Sequence, residues 1–302
     1  MDYFIIFMGN ISISIIIITK DRAKLLEKCL ISLKRQLSKD DEVFVILDSK
    51  TKDSSEEILL RYQKILPLVY YKSDVRGYPQ NFNIGITRSK KDRLVFINDD
   101  CVVQEDFIKR IKAAHTKYPE SVIQGMTFSL PKNNIYAEIA GDKYRNWLAV
   151  NHKDESPNSM RTIDNKNVSI PRKVFYRVGY YNEAFTKGSE DIEFGFRLDK
   201  FGVPIIFDSS IIVYHNERST FHGFVNQHMR FGLSESIVDR TLPPERRIHA
   251  INWYKARLHL RSAIKRESLY LQQIRIKDFL LLPFLYMLLF CIRIYAYYIK
   301  SA

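Results

Sequence analysis

Cysteine is scarce in this 302-residue chain: Cys29, Cys101 and Cys291 lie far apart, and no CxxC pair occurs. That argues against a disulfide framework and a cysteine-based zinc site, and it suits a reducing cytosol. The chain has no P-loop and no GxGxxG fingerprint, so neither of those phosphate cradles is on offer. No internal repeat and no low-complexity tract occurs. The first ten residues, MDYFIIFMGN, have no basic n-region and too short an apolar stretch for a signal peptide,. They are expected to lead into a first strand.

What is present is a globular mixture, 46% hydrophobic and 27% charged, long enough for one large domain or a domain plus an appendage,. The net charge of +13 is unevenly placed. Residues 246–302 hold eleven Lys/Arg against two acids, a net of +9, which leaves +4 for the first 245 residues. A segment this basic has anionic lipid headgroups or nucleic acid as its natural partners.

Hydrophobic periodicity predicts alternating strands and helices. The β-branched run ISISIIIITKD (11–21) reads as a buried strand,. In RAKLLEKCLISLKRQ (22–36), Leu25, Leu26, Cys29, Leu30 and Leu33 recur at helical spacing,. Strands at 42–49, 67–73 and 92–98 alternate with helices at 54–66, 79–90 and 104–118. Asp53 or Ser54 is the expected N-cap of the first of these helices, and Pro79 opens the second. Four such alternations predict an α/β fold with a mostly parallel sheet flanked by helices and joined by right-handed crossovers. Ligands collect at the carboxyl ends of such strands, where Thr19–Asp21, Asp48 and Asn98–Asp100 all fall. Beyond residue 120 the pattern weakens. A strand is expected at 121–130, a polar stretch with the character of a lid or a loose loop at 131–164, a short strand and a Pro-led helix within 167–185, a helix over 188–202, and a strand ending at His215,.

Three constellations carry chemistry, each with a plainer alternative. Asn98-Asp99-Asp100 is either a polar turn or a site for a hard cation such as Mg²⁺ or Mn²⁺, which would relieve the repulsion between the carboxylates. Glu190-Asp191, after Gly188-Ser189, either offsets a helix dipole behind a serine cap or supplies a general base. His215 is either a buried, hydrogen-bonded histidine or a metal ligand. A weaker signal is VRGYPQNFNIG (75–85), where Arg76 at a loop-to-helix junction is either an ordinary loop residue or faces a phosphate,.

The order of these segments resembles glycosyltransferase family 2. SIIIITKDRAKLLEKCLISLKRQ, VILDSKTKDSS and DVRGYPQNFNIGITRSKKDRLVFINDDCVV are similar to the nucleotide-sugar half of that family. NKNVSIPRKVFYRVGYYNEAFTKGSEDIEFGFRLDKFG is similar to its acceptor half, and the likeness covers about residues 11–217. The resemblance implies the GT-A fold, with a catalytic domain over 1–218 (donor-binding half 11–100, acceptor half 101–218) and a C-terminal appendage over 219–302. It further implies that Thr19, Asp21 and Asp48 contact the nucleobase and ribose, and that Arg76 and Asn83 line the donor pocket. Asn98-Asp99-Asp100 matches the DxD motif, with Asp100 as metal ligand, Asp99 near the ribose or metal, and His215 completing the metal site. The same resemblance makes Asp191 the catalytic base, with Glu190 beside it. The first DxD position is Asn98 rather than Asp, and the loop after Asp48 lacks the family's usual glycine. The implied reaction inverts the anomeric carbon of a nucleotide-diphospho-sugar, uses Mn²⁺ or Mg²⁺, and delivers the sugar to a glycan or lipid-linked acceptor.

The appendage opens with nine basic residues and one acid over 246–277, interleaved with apolar and aromatic residues, which reads as a membrane-surface segment. FLLLPFLYMLLFCI (279–292) follows. As helix it is about 21 Å long, short of a bilayer core of about 30 Å unless extended past Arg293. Expectation therefore divides between an interfacial or re-entrant helix, a full span, and a helix packed on the catalytic domain. Membrane association would hold the protein at a cytoplasmic face. Nucleic acid is not an expected partner, because the charge sits beside the most apolar stretch and no nucleic-acid motif is present. Two other readings remain at this point, a nucleic-acid-binding protein and a catalytically inactive sugar-nucleotide binder.

Overall fold

The computed structural model describes residues 11–130, 134–141, 152–153, 156–186, 188–241 and 276–298. The lead-in at 1–10, Trp147 and the basic stretch 246–275 lie outside the described residues. Among the described residues there are ten strands: β1 (Ile13–Thr19), β2 (Glu42–Asp48), β3 (Leu68–Ser73), β4 (Arg93–Phe96), β5 (Cys101–Val103), β6 (Val122–Leu130), β7 (His152–Lys153), β8 (Ser156–Met160), β9 (Val168–Pro171) and β10 (Ile205–Asn216). The helices are α1 (Ala23–Lys34), α2 (Ser55–Tyr62), α3 (Tyr78–Arg88), α4 (Phe107–Lys117), α5 (135–141), α6 (Arg172–Val178), α7 (Glu190–Lys200), α8 (Phe221–Thr241) and α9 (Ile276–Tyr298).

The sheet runs β3-β2-β1-β4-β9-β6-β10-β8-β7, with β5 on β10. Its first four strands are parallel, as the alternation predicts. Alternate residues of each strand point to opposite faces, and both faces are covered. Ile13, Ile15 and Ile17 of β1 meet Leu26, Cys29, Leu30 and Leu33 of α1 on one side. On the other side Ile16 joins Phe82 and Ile86 of α3 and Phe194 of α7. That double burial is why these strands read as unbroken apolar runs. Asp53 fixes the starts of two helices at once: its Oδ2 accepts from the Ala23 amide (2.7 Å) and its Oδ1 from the Ser55 amide (3.0 Å). Ser54, the alternative cap, makes no side-chain capping bond.

Beyond β4 the sheet departs from a simple parallel order. β9 inserts antiparallel between β4 and β6. The short β5 pairs antiparallel with the end of β10, setting Cys101 opposite His215 and Val102 opposite Tyr214. The helix expected from residue 104 begins at Phe107 instead. α7 is anchored by Phe194, whose buried ring lies 4.8 Å from Tyr181 and 5.2 Å from Phe175. Truncating such a ring costs about 3–5 kcal/mol.

α8 and α9 pack side by side. Gly232 makes the close approach possible: a Cβ there would lie 2.7 Å from the Arg293 carbonyl and 2.8 Å from Ala296 Cβ. Leu285 and Leu289 of α9 bury against Phe224 and Ile139. Arg293 forms an ion pair with Glu235 of α8, and the Tyr297 hydroxyl donates to Asp239 (2.7 Å). The full span considered from sequence is not seen, since no helix among the described residues is long and apolar enough to cross a membrane.

Candidate active site

The carboxyl ends of β1 and β4 share one rim because these strands are neighbours and parallel. Just past β4, the Asn98 carbonyl accepts from the Cys101 amide (3.1 Å), closing a tight turn that holds Asp99 and Asp100 inside the protein. Their mutual repulsion is met by the Arg22 guanidinium, which donates from one nitrogen to Asp99 Oδ1 (2.9 Å) and Asp100 Oδ2 (2.8 Å). Burial alone disfavours the charge on Arg22, yet Asp99 and Asp100 raise its pKa above the ordinary arginine value. The Thr19 hydroxyl donates to Asp99 Oδ2 (2.8 Å). Burial raises the Asp99 pKa despite these partners. Asp100 also feels burial, but His215, Arg22 and Arg218 hold it down to about 2.

The β5–β10 pairing then sets His215 against Asp100. His215 Nε2 lies 3.1 Å from Asp100 Oδ1, and Nδ1 lies 2.8 Å from Glu217 Oε1. Glu217 can only accept, so the Nδ1 proton belongs on its side and the Nε2 lone pair faces Asp100. Asp100 Oδ1 is buried and accepts no well-formed hydrogen bond. Two lone-pair donors facing each other inside the protein call for a cation between them. In the metal-free protein a proton serves: burial opposes it, but Glu217 and Asp100 raise the His215 pKa to about 10. A carboxylate oxygen and an imidazole nitrogen oriented by a second carboxylate also fit Mn²⁺ or Mg²⁺. Cys101 belongs to the same cluster, but burial and Asp100 push its thiol far above the ordinary range. A thiol that stays protonated is a poor ligand for a hard cation.

Across the cleft, α7 starts with Glu190 and Asp191. The entry is tight: Gly188 has φ of 111° and Ser189 of 68°, a region that L-residues with side chains enter at a cost. Ser189 occupies the cap position but does not cap with its side chain, whose hydroxyl donates to Ser234 of α8 (2.8 Å). Glu190 is buried, with Oε1 accepting from Asn165 (3.3 Å) and Oε2 without a partner. Asn165 is steadied by the Tyr181 hydroxyl (2.6 Å). Burial, then repulsion from Asp191, raises the Glu190 pKa. Asp191 is half-buried, and burial, then repulsion from Asp164, raises its pKa while Lys166 opposes the rise. A carboxylate raised as Asp191 is remains a competent proton acceptor near neutral pH.

A cleft of about 620 Å³ joins the two walls and is lined by Asn98, Asp100, Glu190, Asp191 and His215. Five residues expected from sequence thus meet in one cavity of ligand-binding size. The others sit behind it or on its rim. Thr19 and Asp99 are buried and bonded to each other. Asp21, at φ 49°, accepts from the Lys52 amide (2.7 Å). Asp48 accepts from Lys20 and from the Lys50 amide, both at 2.8 Å. Arg76 is exposed and does not line the cleft. Asn83 is committed to a clamp, donating to the Tyr181 carbonyl and accepting from the Tyr181 amide, both at 3.0 Å.

Sequence reasoning did not single out Arg22, Glu217, Asp164–Lys166 or the cleft-facing residues of α8. Two of these carried a signal. Arg22 directly follows the rim residue Asp21, and Glu217 stands two residues past His215, on the same side of an extended chain.

The layered arrangement, a rim of carboxylates over a parallel sheet with an antiparallel insertion, is the GT-A architecture. The sequence profile described as "Glycosyl transferase family 2" matches residues 14–180, more than half of the chain. The chain belongs to that family of transferase enzymes. It is 27% identical over 221 residues to validoxylamine A glucosyltransferase of Streptomyces hygroscopicus subsp. jinggangensis, covering 64% of this chain and 52% of the relative. It is 24% identical over 238 residues to an Escherichia coli chondroitin synthase, covering 68% of this chain and 34% of that protein. The chain therefore spans about half, or less, of the length of these curated relatives. Among solved structures, the mannosyltransferase PcManGT from Pyrobaculum calidifontis, in complex with GDP-Man and Mn²⁺, superposes with a TM-score of 0.65 at 15% identity, covering 96% of this chain and 86% of that one. S. aureus TarS 1–349, in complex with UDP-GlcNAc, gives 0.56 at 14% identity, covering 95% and 89%. At such identities the likeness establishes the fold.

Proposed function

We propose that the protein is an inverting, metal-dependent glycosyltransferase that moves a sugar from a nucleotide-diphospho-sugar to a hydroxyl of a glycan or lipid-linked acceptor. The observation that carries this reading is one cleft with two walls: the Asp100–His215 donor pair on one, the raised carboxylates Glu190 and Asp191 on the other. The binding of GDP-Man by PcManGT and of UDP-GlcNAc by TarS supports a nucleotide-sugar partner.

Asp100 Oδ1 and His215 Nε2 would hold the Mn²⁺ or Mg²⁺, with Glu217 fixing the imidazole and Arg22 fixing the carboxylate. The bound ion supplies charge neutralisation for the departing diphosphate. Among the described residues Asp100 and His215 are the donors suited to such an ion, and diphosphate oxygens of a bound donor would add to theirs. Arg218, which already bears on Asp100, adds positive charge on the same side. Asp191, the more open of the two raised carboxylates, takes the proton from the acceptor hydroxyl as it attacks the anomeric carbon opposite the leaving group. Glu190, held by Asn165, positions the start of α7.

The test is a panel of nucleotide sugars offered with and without Mn²⁺, scored for transfer, hydrolysis and thermal stabilisation. Asp191→Asn should lower kcat by about 10²–10⁴-fold, the span of a lost general base, while donor-dependent stabilisation persists. Near-normal turnover by that variant would overturn the base assignment. Donor binding with neither transfer nor hydrolysis would leave a sugar-nucleotide binder, the alternative raised by Asn98. We place the enzyme at the cytoplasmic face of a membrane, where lipid-linked acceptors and cytosolic sugar nucleotides meet.

A further inference from the structure

α9 has two apolar faces, and only one is covered. Leu285, Leu289 and Ala296 are buried on the side of α8. Phe284, Met287, Cys291, Tyr295 and Tyr298 are exposed, Phe284 by 62% and Met287 by 66%. Their spacing of three, four, four and three residues places them along one line of the helix, opposite the buried face. The stripe extends about 21 Å at 1.5 Å per residue and contains no charge. Other helices of the fold behave differently: α4 turns Lys109, Thr116 and Lys117 away from its buried Phe107, Ile108, Ile111 and Ala114. A continuous uncharged stripe on an otherwise ordinary surface marks a contact surface.

The sequence leading into α9 indicates what it contacts. Residues 246–277 carry nine Lys/Arg against one acid and join α9 directly. An apolar helix face next to a strongly basic stretch matches the two layers of an anionic membrane surface, acyl chains below and phosphate headgroups above. Tyr295 and Tyr298, apolar rings with polar tips, suit that boundary. A span is not required, and no helix among the described residues is long and apolar enough for one.

We propose that the outer stripe of α9 is a lipid-contact surface that seats the protein on an anionic bilayer, with α8 between bilayer and cleft. Gly223, Gln227 and Arg230 of α8 line the cleft, Gly232 meets α9, and Glu235, at the cleft's edge, pairs with Arg293 of α9. The lipid surface is thus about two helix diameters, roughly 20–24 Å, from the catalytic cavity. This rests on the membrane placement above and names its surface. It does not rest on the transferase chemistry.

The experiment is flotation of the full chain with vesicles of neutral phosphatidylcholine, or of phosphatidylcholine with phosphatidylglycerol, over a range of NaCl. The expected result is binding at least ten-fold stronger to the anionic vesicles and weakened by salt. Phe284→Glu with Met287→Glu should lower it at least ten-fold while leaving Tm and donor hydrolysis unchanged. A Tyr298→Glu variant, near the helix end, repeats the test where folding is least at risk, and a several-fold loss is expected. No vesicle binding by the wild type overturns the proposal. So does undiminished binding by both variants, or a concentration-dependent dimer of the wild type that the double variant abolishes, which would assign the stripe to a second copy. Donor hydrolysis alongside failed flotation removes the surface and leaves the enzyme. Flotation without hydrolysis does the reverse.

Discussion

Replacing Glu217 by glutamine tests the construction of the donor pair with little change of shape. Glu217 Oε1 lies 2.8 Å from His215 Nδ1, and both side chains are buried. The bond in the wild type is charge-assisted, worth about 1.5–3 kcal/mol, and a neutral glutamine keeps a bond worth about 0.5–1.5 kcal/mol. The difference, about 1–2 kcal/mol, corresponds to about a 5- to 30-fold change in affinity, within the usual range for a group behind a metal ligand. Its sign needs care, because the Glu217 charge favours any cation at Nε2, a proton included. A divalent ion gains more from that charge than a proton does, so removing it weakens metal binding overall. We expect Glu217→Gln to bind Mn²⁺ about 5- to 30-fold more weakly, measured by electron paramagnetic resonance of the free ion with a nucleoside diphosphate present. Glu217→Ala, which removes the acceptor entirely, should be weaker still. Wild-type Mn²⁺ affinity in Glu217→Gln, with Tm unchanged, would refute this account of how His215 is held.

Two further predictions concern stability. Glu190 has a folded-state pKa raised by burial and by Asp191. The native state therefore holds its proton where the unfolded chain has lost it, and stability falls as pH rises above the ordinary glutamate value. Glu190→Gln should accordingly have a higher Tm than the wild type at pH 8, by about 2–4 °C per kcal/mol gained, with the gap closing toward pH 5; an equal gap at both pH values would refute the charge argument. On the other side of α8, Glu235→Ala leaves Arg293 without its partner in a setting that already lowers its pKa to about 10. The expected loss is about 1–3 kcal/mol, at or below the low end for a fully buried pair because both side chains are partly exposed,; Glu235→Leu with Arg293→Met should recover most of it in denaturant melts, and failure to recover would mean that the pair is not what joins the helices.

The parallel half of the fold was readable because its strands are buried on both faces and its helices on one, so periodicity distinguishes them. Of the later elements, β6, β9, α6, α7 and β10 lie where periodicity and turn residues put them, but other features were not readable, for separate reasons. β5 is three residues, Cys-Val-Val, after a polar turn, and only its partner Tyr214–His215 makes it a strand. β9 lies between β4 and β6, and nothing in its four residues encodes that register. α8 buries Gly232, Ser234, Ser236 and Asp239, residues that blur an apolar period. Arg293 reads as an interruption of an apolar run, and its meaning depends on Glu235. In the site, three residues at or near strand ends, Asn98, Asp100 and His215, line the cleft, joined by Glu190 and Asp191 at the start of α7. Asn83 clamps the Tyr181 backbone, a contact that its place in the sequence does not encode. Ser189 matched a cap by type, but its left-handed backbone sends the hydroxyl to Ser234.

The pairing of β5 with β10 works as a clasp. It joins Val103 to Val213 and Cys101 to His215, closing a loop of about one hundred residues that includes the segment 131–164. Once the clasp is shut, the distance between the two donor atoms no longer depends on how long that loop is. Lengthening a flexible loop is thermodynamically mild, about 0.6 kcal/mol for each doubling. A connection between the elements inside that loop can thus be lengthened or shortened while the Asp100–His215 pair stays in place; on the proposed function, acceptor choice would then vary independently of how the leaving group is held.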